Sequence, residues 1–267
     1  MARGGGAVPL TEFQDAILRL IGEPLADDAY LAGGAAIHFT PNSARYSNDL
    51  DLFHDSLKQV ASSFAIADAL LKQAGYDVVV ELSQPGFIRA IVRRGDHATL
   101  VDWAHDTAWR FLPLVVSPLG ARLMHPVDLA INKVLALAGR DEPRDFVDIL
   151  FIHEHTLPLG AMIWAATGKD PGFTPRSLLE LLKRRGHYRP EEFARLDLAR
   201  PFDLQQAKPQ WLQALSDAEA FIATRPPEEV GCLYWDQHTE RFVAPDPQQS
   251  VFVHFGTRGG VVPRTVA

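Results

Sequence analysis

The chain has 267 residues, 47% apolar and 22% charged, with a net charge of −7 from 26 basic and 33 acidic side chains. That length buries a sizeable core without disulfides or structural metals; the single cysteine, Cys232, excludes an intrachain disulfide and points to a reducing compartment. The acidic balance argues against tight, sequence-independent nucleic-acid binding, which depends on neutralising many phosphates with Lys and Arg.

In chain order, Met1 to Leu10 lacks the apolar centre of a secretory signal, so a cytoplasmic protein is expected. Leu10 to Ile21 has apolar residues at helical spacing, with Thr11 and Glu12 at its start. Tyr30-Leu31-Ala32 is a short apolar run broken by Gly33-Gly34, and Ala35 to Phe39 is stopped at Pro41 and Asn42. Asp49 to Phe53 alternates polar and apolar residues as a strand does. Leu57 to Ala74 is a helix closed by Gly75. Strands follow at Tyr76 to Leu82, Phe87 to Arg93 and Ala98 to Trp103, with turns at Pro85-Gly86 and Gly95-Asp96.

The pattern changes near Ser117 to Pro126, and helices dominate beyond it. They are expected at Val127 to Ala138, Pro143 to His155, Leu159 to Ala166, Pro175 to Lys183 and Gln210 to Ala223. None of these apolar stretches is long enough to cross a bilayer, so no membrane partner is expected. Cys232 to Trp235 and Val251 to Val253 are strand-like, and Gly256 to Ala267 is expected to be loose. Lys183, Arg184, Arg185, His187 and Arg189, with Arg176, Arg195 and Arg200 nearby, form a basic cluster: a solvated face or an RNA-docking strip. The fold class is α+β, with a mixed sheet flanked by helices in residues 1–118 and a mainly helical domain in residues 119–267.

The chemistry concentrates around Asp49-Leu50-Asp51-Leu52. On a strand both aspartates face one way while both leucines enter the core. Two adjacent carboxylates repel unless a cation lies between them, and Mg²⁺ (or Mn²⁺) prefers such oxygens together with phosphate. Asp102 sits in another apolar strand, on the face opposite Val101 and Trp103. Gly33-Gly34 lets backbone approach a ligand closely. Ser47 is placed to offer a hydroxyl to phosphates, and Arg45 to pair with an aspartate. Taken singly, each has a plainer reading: a turn, a solvated strand edge, a salt-bridged acid. His153-Glu154-His155 is not a zinc pair, because i, i+2 imidazoles lie on opposite sides of a helix. No nucleophile elbow and no Walker loop occurs.

Gly33-Gly34, fourteen intervening residues, then Asp49-Leu50-Asp51-Leu52-Phe53 resembles the first motif of the DNA polymerase β-like nucleotidyltransferases. Arg45-x-Ser47-x-Asp49-Leu-Asp51 is similar to the form in the AbiEii/AbiGii toxins. Pro126 to Leu137 with Lys133, then Arg140 and Arg144-Asp145-Phe-Val-Asp148, resembles the family's later lysine and Asp-x-x-Asp motifs; the likeness covers about Leu31 to Ile152.

The resemblance implies a nucleoside triphosphate substrate. It implies metals on Asp49, Asp51 and Asp102, with Asp102 assisting deprotonation of an acceptor hydroxyl. Lys133 and Asp145 would contact the nucleotide and support catalysis, with Asp148 beside them. Gly33, Gly34, Arg45, Ser47 and Lys133 would hold phosphates. It further implies an RNA acceptor such as tRNA, as in a toxin–antitoxin system, and a cognate antitoxin. The alternatives are a small-molecule, antibiotic-type nucleotidyltransferase and a catalytically silent binding module.

Overall fold

The computed structural model describes residues 10–25, 27, 29–39, 44–246 and 248–263. The expected stop at Pro41 and Asn42 lies outside them. Helix α1 (Glu12–Ile21) begins on a capping box in which Thr11 and Gln14 exchange side-chain-to-backbone hydrogen bonds. Strand β1 (Tyr30–Ala32) runs straight into α2 (Gly33–Ile37), then come β2 (Asp49–His54) and α3 (Leu57–Gln73). Strands β3 (Asp77–Gln84), β4 (Phe87–Arg94) and β5 (His97–His105) form the expected meander. Three two-residue strands escape any sequence pattern: β6 (Trp109–Arg110), β7 (Val115–Val116) and β8 (Arg122–Leu123).

Helices α4 (Pro126–Arg140), α5 (Pro143–His155), α6 (Leu159–Lys169), α7 (Pro175–Leu182), α8 (Pro190–Phe193) and α9 (Leu204–Ala223) follow. Helix α9 starts six residues earlier than Gln210, because Asp203 caps it through the N–H groups of Gln205 and Gln206. Strands β9 (Cys232–Asp236), β10 (Arg241–Val243), β11 (Phe252–Phe255) and β12 (Thr257–Arg258) end the described chain. The tail is therefore not loose where it is described. Thr257 and Arg258 pair with Arg110 and Trp109, and Val261 N–H donates to Phe111 C=O at 3.1 Å. The pattern hid this because backbone bonds to a distant segment leave no periodicity.

The chain folds as two compact units. The first comprises Met1–Ala108, Leu114–His125 and Asp197–Arg200; the second comprises Trp109–Pro113, Pro126–Leu196 and Pro201–Ala267. In the first, one seven-stranded sheet has the order β3-β4-β5-β2-β1-β8-β7. It is mixed: β2 pairs with β5, and β1 with β8, in parallel, and the other neighbours are antiparallel. Its core side carries Leu50, Val101, Trp103, Ala90 and Val92, all fully buried.

The second unit is built on α6, which is buried on all sides, and on the β10-β9-β11 sheet. Phe146, fully buried, packs among Tyr188, Phe193, Phe202 and Trp211. Buried Asp128 accepts from the Phe111 and Leu112 N–H groups at 2.8 and 3.0 Å, tying the 109–113 segment to α4. Burial holds its carboxyl above the usual range although those two donors oppose the shift. Among the described residues no single helix is long and apolar enough to cross a membrane.

Candidate active site

Strand β2 alternates half-buried and buried positions from Asp49 to His54, so Asp49 and Asp51 share the half-buried face while Leu50 and Leu52 enter the core. The register across four strands then lines up a single row. Arg89 on β4 lies opposite Asp102 on β5, Asp102 opposite Asp51 on β2, and Asp51 opposite Ala32 on β1. Paired positions point to the same side of a sheet. Asp102, Asp51 and Asp49 thus occupy one face, directly before the Gly33-Gly34 turn.

The geometry explains both glycines. Gly33 has φ +61°, and a Cβ there would overlap the Asp51 carboxylate. A Cβ on Gly34 would come within 2.6 Å of Arg45 Nη2 and 2.8 Å of Ser47 Oγ. The double glycine is therefore the space that Asp51, Ser47 and Arg45 occupy. Gly33→Ala should lower stability, because left-handed backbone costs roughly 1–2 kcal/mol in an L-residue; on the role proposed for Asp51 below, an ångström-scale shift of its carboxylate should also lower nucleotide transfer about a hundredfold. Gly75→Ala is the control, since Gly75 has φ +82° with nothing within 4 Å. Melting curves and transfer assays should show strain in both variants and loss of transfer in Gly33→Ala alone.

Ser47 and Arg45 are both buried, at 2% and 5% exposure. Ser47 Oγ donates to Asp49 Oδ1 at 2.6 Å, which orients that carboxylate. Arg45 Nη1 donates to Tyr46 C=O at 3.0 Å, and its backbone bridges to Leu198. Two residues outside the sequence motifs pin this approach to β2. Buried Gln14 donates through Nε2 to Ser47 C=O at 2.9 Å and to Thr99 Oγ1 at 3.3 Å; Thr99 Oγ1 donates to Asn48 C=O at 3.2 Å.

Arg89 likewise lies outside the sequence motifs. Its Nε and Nη2 donate to Asp102 Oδ1 and Oδ2 at 2.8 and 2.7 Å, a two-point fork. The signal was available: a two-residue Gly95-Asp96 turn sets Arg94 opposite His97, and counting back sets Arg89 opposite Asp102.

Lys133, Asp145 and Asp148 belong to the second unit and form a buried ion network. Lys133 Nζ lies 2.9 Å from Asp145 Oδ1 and 3.0 Å from Asp148 Oδ2. Arg140 closes it with Nε 2.6 Å from Asp145 Oδ2 and Nη2 2.9 Å from Oδ1. Side-chain exposure is 6% for Lys133 and 0% for both aspartates, against 48% for Arg140. Lys133 is thus held by two carboxylates within its own unit. Burial alone would raise the Asp145 carboxyl, but the Arg140 hydrogen bonds and Lys133 charge outweigh it, and it lies below the usual range. Part of the basic cluster is likewise used internally: Lys183 bridges Glu180 and Glu219 at 2.9 and 3.1 Å, and Arg185 pairs with Asp141 at 3.3 Å.

Asp49 and Asp51 suit a hard divalent ion, being oxygen donors on one half-buried face beside side-chain-free backbone. Asp102 has the matching register, but both its oxygens accept from Arg89. Among the described residues no three His, Cys, Asp or Glu side chains are gathered closely enough to hold a metal ion.

The sequence signature described as "Nucleotidyl transferase AbiEii toxin, Type IV TA system" matches residues 16–246, most of the chain and both units. The chain belongs to the AbiEii nucleotidyltransferase toxin family. It is accordingly a nucleotidyltransferase of the toxin type. The fold agrees with two solved structures. One is JHP933 from Helicobacter pylori, with TM-score 0.50 and 18% identity over 80% of this chain and 95% of that one. The other is the nucleotidyltransferase toxin MenT4 (Rv2826c) from Mycobacterium tuberculosis H37Rv, with TM-score 0.50 and 15% identity over 81% and 83%. A comparison with curated protein sequences gives no match.

Proposed function

We propose that this member of the AbiEii family transfers a nucleoside monophosphate from a nucleoside triphosphate to a hydroxyl at an RNA end, tRNA being the favoured acceptor, in a divalent-ion-dependent reaction. The observation that supports this best is the row of carboxylates: Asp102 opposite Asp51, with Asp49 on the same face, beside the space left by Gly33 and Gly34. Mg²⁺ or Mn²⁺, when bound by Asp49 and Asp51, supplies charge neutralisation at the triphosphate.

The chain's own residues do the rest. Ser47 fixes the Asp49 carboxylate through its 2.6 Å hydrogen bond. The triphosphate lies over the Gly33-Gly34 backbone, with Arg45 and Ser47 alongside. Asp102 takes the proton of the acceptor hydroxyl as its oxygen bonds to the α-phosphorus; the bond from that phosphorus to the β-phosphate oxygen breaks, and pyrophosphate leaves. Lys133 and Asp145 are the further residues expected to contact the nucleotide, and their paired charges hold α4 and α5 together. The cytoplasm is the expected location, and a cognate antitoxin is the expected antagonist, as for a toxin–antitoxin pair.

The acceptor is tested by incubating the protein with Mg²⁺, each of the four α-labelled nucleoside triphosphates, total RNA and, separately, hydroxylated small molecules. Label in RNA, with strongest incorporation into the tRNA fraction, is expected. Label confined to small molecules would replace the RNA acceptor by an antibiotic-type one.

A further inference from the structure

Asp102 spends both carboxylate oxygens on Arg89. The fork is short at both contacts, and the two partners differ in access: the Arg89 side chain is 41% exposed and that of Asp102 9%. The guanidinium is thus the more solvent-accessible partner of the fork. The same cation lies in the field of the whole acidic face. The register sets it opposite Asp102, and Asp102 opposite Asp51, with Asp49 two residues along the same face. On the other side the guanidinium carbon sits 5.5 Å from the centre of the Phe87 ring, two residues along the same face of β4. The ring therefore already holds the cation by a cation–π contact, one that can be kept when the fork to Asp102 opens.

A dication and a guanidinium that share one carboxylate repel each other, and at these separations the repulsion is not fully screened. We propose that Arg89 is the resident counter-cation of the acidic row: it holds Asp102 out of the divalent-ion set until an incoming dication displaces its guanidinium toward Phe87 and solvent. The inference rests on the metal reading given under Proposed function and adds a positioning residue to it. It accounts for three carboxylates in register on one face that nevertheless do not form a gathered three-ligand site. It also accounts for an arginine set mid-strand in Phe87-Ile88-Arg89-Ala90-Ile91, where an apolar or small residue would pair as well.

The test measures Mn²⁺ binding to the full chain without nucleotide, by loss of the free Mn²⁺ resonance signal. It compares wild type, Arg89→Met, Arg89→Lys and Asp51→Asn, each checked for folding by circular dichroism. Arg89→Met should lower the half-saturating Mn²⁺ concentration about tenfold, the scale of a partly exposed charge-assisted pair. Arg89→Lys keeps a charge but loses the fork, and should lower it about threefold; it carries the comparison should Arg89→Met fail to fold. Asp51→Asn should weaken binding whichever residue stands at position 89. Equal or weaker Mn²⁺ binding in the Arg89 variants, with Asp51→Asn still impaired, overturns the counter-cation and leaves the metal reading standing. No Mn²⁺ bound by any variant removes both.

Discussion

Asp51→Ala is expected to abolish nucleotide transfer while leaving the fold intact. Asp51 occupies the centre of the row, with Asp102 opposite it on β5, Ala32 opposite it on β1 and Gly33 shaped around its carboxylate. It is half-buried on the face away from the core, so truncation opens no cavity among Leu50, Val101 and Trp103. The loss in rate should be at least roughly a hundredfold to a thousandfold, the cost of removing one preorganised electrostatic stabiliser from a transfer site. Removing one of several like charges on a single face also relieves repulsion, so the melting temperature should hold or rise slightly when no divalent ion is present. The checks are incorporation of labelled nucleotide at saturating Mg²⁺ and a melting curve on the same preparation. Transfer within tenfold of wild type would move the chemistry away from this face.

Asp145→Ala should have the largest effect on stability. It leaves buried Lys133 with Asp148 and removes both hydrogen bonds that Arg140 makes to Asp145. Breaking a buried pair by removing one partner costs about 3–5 kcal/mol. The lower end applies here, because Lys133 keeps one carboxylate and the half-exposed Arg140 is resolvated. For a unit of this size about 3 kcal/mol corresponds to roughly 6–12 °C in melting temperature.

The pH dependence has a definite sign. A carboxyl held below its ordinary value contributes stability above that value, 3.8, and loses the contribution as pH falls through its lower folded-state value. The gap between wild type and Asp145→Ala should therefore be full at neutral pH and narrow below about pH 3.8. Melting curves from pH 3 to pH 7 measure it, and a difference under about 1 °C at pH 7 would show that the network carries no net stability.

Where chemistry shows as periodicity, the site was legible in the chain. The two-residue alternation from Asp49 to Phe53 sets the aspartates apart from the leucines, and the structure keeps that division from Asp49 to His54. Helix α5 runs from Pro143 to His155, as expected from a proline suited to a first turn and the apolar spacing behind it. Residues three apart on that helix put Asp145 and Asp148 on one side, and both reach Lys133. What the pattern left open was who answers those charges. In the structure Lys133 and Asp145 meet each other, with Arg140 added.

The sequence alone therefore determined local matters: which residues face together along one strand or one helix, where glycine and proline break the chain, and which motifs place it in a family. Tertiary structure decided the partners across strands and across long loops. The pairing of Arg89 with Asp102, the reach of Gln14 to Ser47 and Thr99, and the return of Thr257 and Arg258 to the strand at Trp109 are of this kind. The physical reason is that a side chain's direction follows from its neighbours in the chain, whereas a hydrogen bond between distant segments depends on a register that only the packed sheet specifies.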